Sequence, residues 1–308
     1  MSGHSAVLVG GLLLAQASMA GDVADHVWRH GSADCADDRG PAIEVFEFDR
    51  DSYILRQNKC VHFEAPFVYV LFGQHTVFVQ DTGATVERER FPLYDTVQAL
   101  IARHDRSIRR VLVAHSHGHG DHIAADAQFR GQPGVSLIEP DLQAVRTQFG
   151  LTQWPEGLAT LDLGQRRLDI IPAPGHHEQG IAVYDGRSGW LLTGDTLYPG
   201  RVLVKDWNAY RASIGRLAAF SETHTVSAVL GSHIEISRDG RLFDVGSRHQ
   251  PGEASLVMPV ETLRQLDDRL RAAGDRAQEI VMDSFVVAPL GALQKALGAA
   301  LKWLGVRG

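Results

Sequence analysis

Four histidines and one aspartate stand within eight residues, His115 to His122, directly after the apolar run Arg110-Val111-Leu112-Val113. A run of that kind reads as a buried strand, so the cluster leaves the core where a strand ends. Gly118 and Gly120 interrupt it and allow the sharp turns by which imidazoles close in sequence converge on one point. Neutral imidazole and carboxylate are ligands of a borderline divalent cation such as Zn²⁺, and a cation so held can activate water. The plain alternative is a polar loop or an adventitious His-rich tract. Partner residues of the right chemical types downstream argue against it.

Those partners recur in one pattern: an apolar strand, then glycine or a turn, then a metal-type residue. It occurs at Asp81 before Thr82-Gly83, at His176 after Pro174-Gly175, at Asp195 after Gly194, and at His233 after Gly231-Ser232. Rigid strands fix such residues while the loops that follow remain free to vary.

The elements that must position them are legible as periods. Strand-like runs cover Ile43 to Phe48, Ser52 to Gln57, Phe67 to Phe72 and His75 to Gln80, the last two joined across Gly73-Gln74 as a hairpin. Residues 93 to 103 keep helical spacing through Leu93, Val97, Leu100 and Ile101. Beyond the cluster, Ile123 to Phe129 reads as a helix, Val135 to Ile138 as a strand, and Pro140 as a helix opening. Strands follow around 158–163 and 167–171, then a hairpin of 180–185 with 190–193. A helix capped by Asp206 carries Trp207, Tyr210, Ile214 and Leu217 on one face. Thr225 to Leu230 is a further strand. The tail holds a helix from Pro259, a strand-like Ile280 to Val287, and a last helix with Leu290, Leu293, Leu297, Ala300 and Leu304 on one side, a core or interface face.

The chain has 308 residues, 44% hydrophobic and 22% charged, as expected of a globular protein with a substantial core. A net charge of −7 and the lack of a Lys/Arg block argue against nucleic acid as a partner. Residues 6 to 14 form an apolar run too short to span a membrane, followed by small residues up to Ala20. Residues 1–20 therefore read as a signal peptide, with an uncleaved anchoring segment as the alternative. Residues 21–308 read as a single domain that is periplasmic or secreted. No other stretch is long and apolar enough for a transmembrane helix, so no stable membrane insertion is expected. Export would permit a disulfide between the two cysteines, Cys35 and Cys60; free thiols are the other reading.

His117-Gly118-His119-Gly120-Asp121-His122 matches the H-x-H-x-D-H motif of the metallo-β-lactamase-fold hydrolases, and Asp81, His176, Asp195 and His233 match that family's other motifs in order. The resemblance covers roughly residues 43 to 236. It implies an α/β fold, an αββα sandwich of two mixed sheets packed face to face with helices outside. It implies that His117, His119 and His176 hold one divalent ion, that Asp121, His122 and His233 hold a second, and that Asp195 bridges them. Zinc is the first expectation, with iron or manganese as alternatives. Asp121 would also act in catalysis by orienting the attacking hydroxide, and Asp81 would hold a ligating imidazole. His115 has no ligand counterpart and reads as structural or supporting.

An aspartate bridge together with His122 makes the set similar to the glyoxalase II-type thioesterase, lactonase and phosphodiesterase branches. The implied activity is hydrolysis of an ester, lactone or thioester of a small molecule by metal-bound hydroxide. The alternatives are a phosphodiesterase, a β-lactamase, a mononuclear iron dioxygenase acting on persulfides, and a metal-binding scaffold without turnover. Tyr198, three residues after Asp195, reads either as an oxyanion donor or as a tyrosine packed under a loop. His177 and Glu178 are candidates for the pocket, and Arg201 and Lys205 for meeting an anionic substrate. Oligomeric state is left open.

Overall fold

A computed structural model describes residues 23–104 and 107–291. The expected signal peptide and all but the first residues of the expected last helix lie outside the described residues.

The first sheet contains β1 (Ile43–Asp49), β2 (Ser52–Gln57), β3 (Phe67–Phe72), β4 (Thr76–Gln80), β5 (Arg110–Ala114) and β6 (Val135–Leu137), in that spatial order. β1 to β4 are antiparallel, and the expected 73–74 hairpin joins β3 to β4. β4, β5 and β6 run parallel. Parallel neighbours need crossovers, supplied by α1 (Leu93–Ala102) and by the short α2 (Gly120–Ile123) and α3 (Asp126–Phe129). The helix expected over 123–129 is thus divided at residues 124–125, and α2 carries Asp121 and His122 in its single turn.

α4 (Leu142–Phe149) leads into the second sheet. It comprises β7 (Ala159–Asp162), β8 (Arg167–Pro172), β9 (Ile181–Asp185), β10 (Trp190–Gly194), β12 (Ala228–Gly231) and β13 (Val257–Met258), ordered β13-β12-β10-β9-β8-β7. β11 (Arg201–Val204), which periodicity did not disclose, pairs with β15 (Val286–Pro289), and β14 (Ile280–Val281) completes a third, small sheet. α5 (Trp207–Thr223) starts at Asp206, whose carboxylate accepts the Ala209 N–H at 3.0 Å. α6 (Val260–Ala273) packs beside it.

The two-residue period of the strands sorts side chains between layers. In β3, Phe67, Tyr69 and Leu71 enter the core between the sheets, where they join Phe78, Leu112, Ile170, Val183, Trp190 and Leu192. Val68, Val70 and Phe72 face the other way, onto Leu93, Val97 and Leu100 of α1. In the second sheet Leu191 and Val229 point outward onto Ile214 and Leu217 of α5 and Leu263 and Leu266 of α6. The result is the four-layer αββα sandwich.

One rim of the sandwich is fastened by a buried ion pair. Arg166 donates to both oxygens of Asp185 at 3.0 and 2.6 Å and to Ser52 Oγ and the Phe72 carbonyl, tying the second sheet to β2 and β3 of the first. Phe72 pairs with Val77 at the start of β4, so this clamp lies at the end away from Asp81. The other rim gathers the strand ends that carry the expected ligands.

Cys35 and Cys60 form a disulfide with a Cα–Cα separation of 5.2 Å. It ties the amino-terminal arm to the loop between β2 and β3. No helix among the described residues is long and apolar enough to cross a membrane.

Candidate metal centre

The seven expected ligands meet at the rim in two groups. Nitrogens of His117, His119 and His176 form the first, and donor atoms of Asp121, His122, Asp195 and His233 the second. In the first, His119 Nδ1 lies 2.8 Å from His117 Nε2 and 2.9 Å from His176 Nε2, and the two Nε2 atoms are 3.2 Å apart. In the second, Asp121 Oδ2 stands 3.2 Å from His122 Nε2 and from His233 Nε2. Asp195 Oδ1 is 3.4 Å from each of the same two nitrogens, which are themselves 3.4 Å apart.

A tetrahedron of ligands at about 2.0–2.1 Å from zinc has edges of about 3.3 Å, so the second group fits a cation without rearrangement. Asp195 divides its carboxylate between the groups. While Oδ1 faces the second, Oδ2 faces His176 at 3.6 Å and His117 at 3.8 Å in the first. Asp195 Oδ1 is buried and has no hydrogen-bond partner. A buried carboxylate oxygen without a donor is costly unless a cation satisfies it.

The orientation of the imidazoles decides which atoms face inward. His176 Nδ1 donates to the Leu203 carbonyl at 2.7 Å and His233 Nδ1 to the Glu64 carbonyl at 3.2 Å. His122 Nδ1 donates to Asp81 Oδ2 at 3.0 Å. A carbonyl or carboxylate can only accept, so in all three rings Nε2 is the nitrogen turned to the centre, and in the neutral ring it carries the lone pair. Asp81 also accepts the Ser116 N–H at 2.6 Å and the Ser116 hydroxyl at 2.9 Å, so its orientation is fixed in turn.

Two glycines make the approach feasible. Gly194, just before Asp195, has φ +53°, and a Cβ there would sit 2.5 Å from the Ser116 Cβ. Gly175, just before His176, has φ +141°, and a Cβ would come within 2.4 Å of the Tyr210 Cα. Both positions exclude a side chain on steric grounds.

The electrostatics differ between the groups. Burial, with His122, His176 and His119 adding to it, holds His117 well below the usual imidazole range; burial and His176 push His119 down to about 4. These rings are neutral and present lone pairs. Around the second group, burial works against charge on His122, yet the carboxylates of Asp121, Asp195 and Asp81 outweigh it and raise that ring well above its ordinary value. For His233, burial is likewise overcome, by Asp195 and Asp121, and its pKa rises to about 9. Burial would raise Asp121 and Asp195, but the imidazoles hold both below the ordinary carboxylate value. This half of the site demands positive charge.

Tyr198 is placed differently from the oxyanion-donor reading. Its hydroxyl donates to the Arg201 carbonyl at 2.5 Å or to Glu235 Oε2 at 3.0 Å. Its ring packs edge-on against His233, with centroids 5.4 Å apart. The one proton of the phenol is committed to protein oxygens, so the packed alternative is the one the geometry matches. His115 stays outside both groups and bonds Asp126 at 2.8 Å, while Asp126 also accepts from Thr82 Oγ1. His177 is buried with its ring centroid 4.9 Å from that of His119. Glu178, Arg201 and Lys205 are exposed.

The profile of the metallo-beta-lactamase superfamily matches residues 63–274, about two thirds of the chain. The chain belongs to the metallo-β-lactamase superfamily. Among curated relatives it is similar to the hydroxyacylglutathione hydrolase of Anaeromyxobacter dehalogenans, 32% identical over 105 residues covering 34% of this chain and 38% of the relative. It is also similar to that of Brucella ovis, 29% identical over 83 residues covering 27% and 32%. The matched segments thus span about a third of the length of these relatives. Similar solved structures include a metallo-β-lactamase from Pontibacter korlensis, 17% identical with a TM-score of 0.49 over 74% of this chain and 99% of that one. Another, from Erythrobacter litoralis, is 17% identical with a TM-score of 0.48 over 64% and 91%.

Proposed function

We propose that this superfamily member holds two divalent ions, zinc by preference, and hydrolyses an ester, lactone or thioester carbonyl of a small molecule. The observation that carries the reading is the divided carboxylate of Asp195, one oxygen turned to each donor group. The two curated relatives are hydroxyacylglutathione hydrolases, which supports a thioester or a related carbonyl. When bound, a pair of such ions would polarise the scissile carbonyl and lower the pKa of water from about 15.7 towards 7.

The chain's own residues do the rest. His117, His119 and His176 present neutral nitrogens; Asp121, His122 and His233 enclose the second position. Asp121 keeps an ionised carboxylate at the centre, where it can orient a water by accepting its hydrogen bond. Asp81, Leu203 and Glu64 fix three imidazoles by accepting their Nδ1 protons, so no ring must turn during turnover. The disulfide between Cys35 and Cys60 supports an exported location, since such bonds persist in oxidising compartments.

The test is metal content per chain on protein purified without added metal, followed by a screen of thioester, lactone, ester, phosphodiester and β-lactam substrates. Two ions per chain and chelator-sensitive hydrolysis of carboxylic thioesters, lactones or esters is the expected result. A single iron per chain, or cleavage confined to phosphodiesters, would overturn the reading.

A further inference from the structure

A cavity of about 190 Å³, the room of roughly six water molecules, opens beside the metal centre. Its walls are built by the residues that hold the imidazoles. The Leu203 carbonyl accepts the His176 Nδ1–H and the Glu64 carbonyl that of His233, and both residues line the cavity. Tyr198, packed on His233, forms another part of the wall. The cavity therefore adjoins the residues that seat His176 and His233, one imidazole's width from the donor groups.

Its chemistry is mostly apolar. Phe63, Leu203, Leu242, Phe243 and Val245 line it, and Leu203 and Val245 leave 39% and 85% of their surface open to water. Of the charged residues on the wall, Glu64, Glu235 and Asp244 are carboxylates. The Lys59 ammonium, 1% exposed, is turned to the Phe63 carbonyl at 3.2 Å, and Arg201 is exposed. Gln250, 4% exposed, also lines the cavity, and its buried Oε1 has no hydrogen-bond partner. That oxygen is closed off from solvent, so what the wall offers an occupant is apolar side chains together with carboxylates.

We propose that this cavity receives a short, uncharged, mainly apolar arm of the substrate and disfavours an arm that carries carboxylates. The proposal rests on the carbonyl-hydrolase reading above and narrows it. A thiol bearing several carboxylates is a poor occupant, while a small aliphatic group, with or without an amide or hydroxyl donor, is a good one.

The experiment compares kcat/KM of the metal-loaded protein for methyl acetate, propyl propanoate and butyl butanoate, which lengthen both arms together. It includes a counterpart of the last with a carboxylate at each end. Burial predicts a gain of about fourfold per methylene that enters the cavity, and a loss of at least about tenfold on adding the carboxylates. The ratio of long to short substrate should flatten in Leu203→Glu and in Val245→Asp. Preference for the carboxylate-tipped ester, or a ratio equal in wild type and both variants, would overturn the inference.

Should no ester, thioester or lactone be turned over, the hydrolase reading fails separately, and the cavity is read by calorimetric binding of pentanamide. Binding weakened in both variants supports the apolar arm; absent or unchanged binding overturns it.

Discussion

His122 donates its Nδ1 proton to Asp81 Oδ2 at 3.0 Å, and neither side chain has any exposed surface. Asp81 reaches that position from a backbone with φ +70°, a conformation that aspartate tolerates better than most residues but at some cost. The strain is offset by the Ser116 amide and hydroxyl bonds to the same carboxylate. Removing this support should be felt at the second donor group first. Asp81→Ala is expected to weaken one of two metal-binding events by about 10- to 100-fold and to leave the other near its wild-type value. A calorimetric titration of the metal-free protein reads both events; equal weakening of the two would contradict the assignment.

Asp195 makes a contrasting prediction, because its oxygens face both groups. Asp195→Ala should weaken both binding events, each by about tenfold or more, whereas Asp121→Ala should weaken one. The two isotherms, compared with circular dichroism as a check of folding, separate a shared carboxylate from a local one.

At the opposite rim, Arg166 and Asp185 are fully buried and bonded to each other. Arg166→Met would leave Asp185 ionised and without its main partner, a loss of about 3–5 kcal/mol. Thermal or urea unfolding should show it, while metal stoichiometry of the folded fraction stays at the wild-type value. A change in stoichiometry would mean that the clamp and the site are coupled through the sandwich.

Lys59 gives a pH-dependent expectation. Burial first, and the neighbouring Arg56 next, lower its ammonium pKa from 10.5 to about 8. The folded state thus disfavours the charged form. Its contribution to stability is complete above pH 10.5 and is lost as pH falls through 8. Lys59→Met removes that penalty together with the Phe63 hydrogen bond, and should raise stability at pH 7 by on the order of 2 kcal/mol. The advantage should shrink towards zero as pH approaches 10.5. Melting curves of the two proteins between pH 7 and 10.5 test it, and a difference independent of pH would refute it.

Much of the fold and of the site is legible in the amino-acid sequence. The ligand residues announce themselves because imidazoles and carboxylates at strand ends have few other reasons to recur, and the strands because their two-residue period serves two cores at once. β11 escaped notice since Arg201-Val202-Leu203-Val204 is short and pairs with a strand more than eighty residues away. The hydrogen-bond acceptors of His176 and His233 escaped for a different reason. They are main-chain carbonyls of Leu203 and Glu64, and a carbonyl has no letter in the sequence. Tyr198 was ambiguous because spacing from Asp195 says nothing of the direction of a hydroxyl, which Glu235 and the Arg201 carbonyl determine.

The use of carbonyls at residues 64 and 203 has an evolutionary consequence. Every amino acid brings the same carbonyl, so the side chains at these two positions can be exchanged while the imidazoles remain seated. Because residues 64 and 203 also line the neighbouring cavity, exchanges there would reshape that cavity one substitution at a time while the donor nitrogens stay in place.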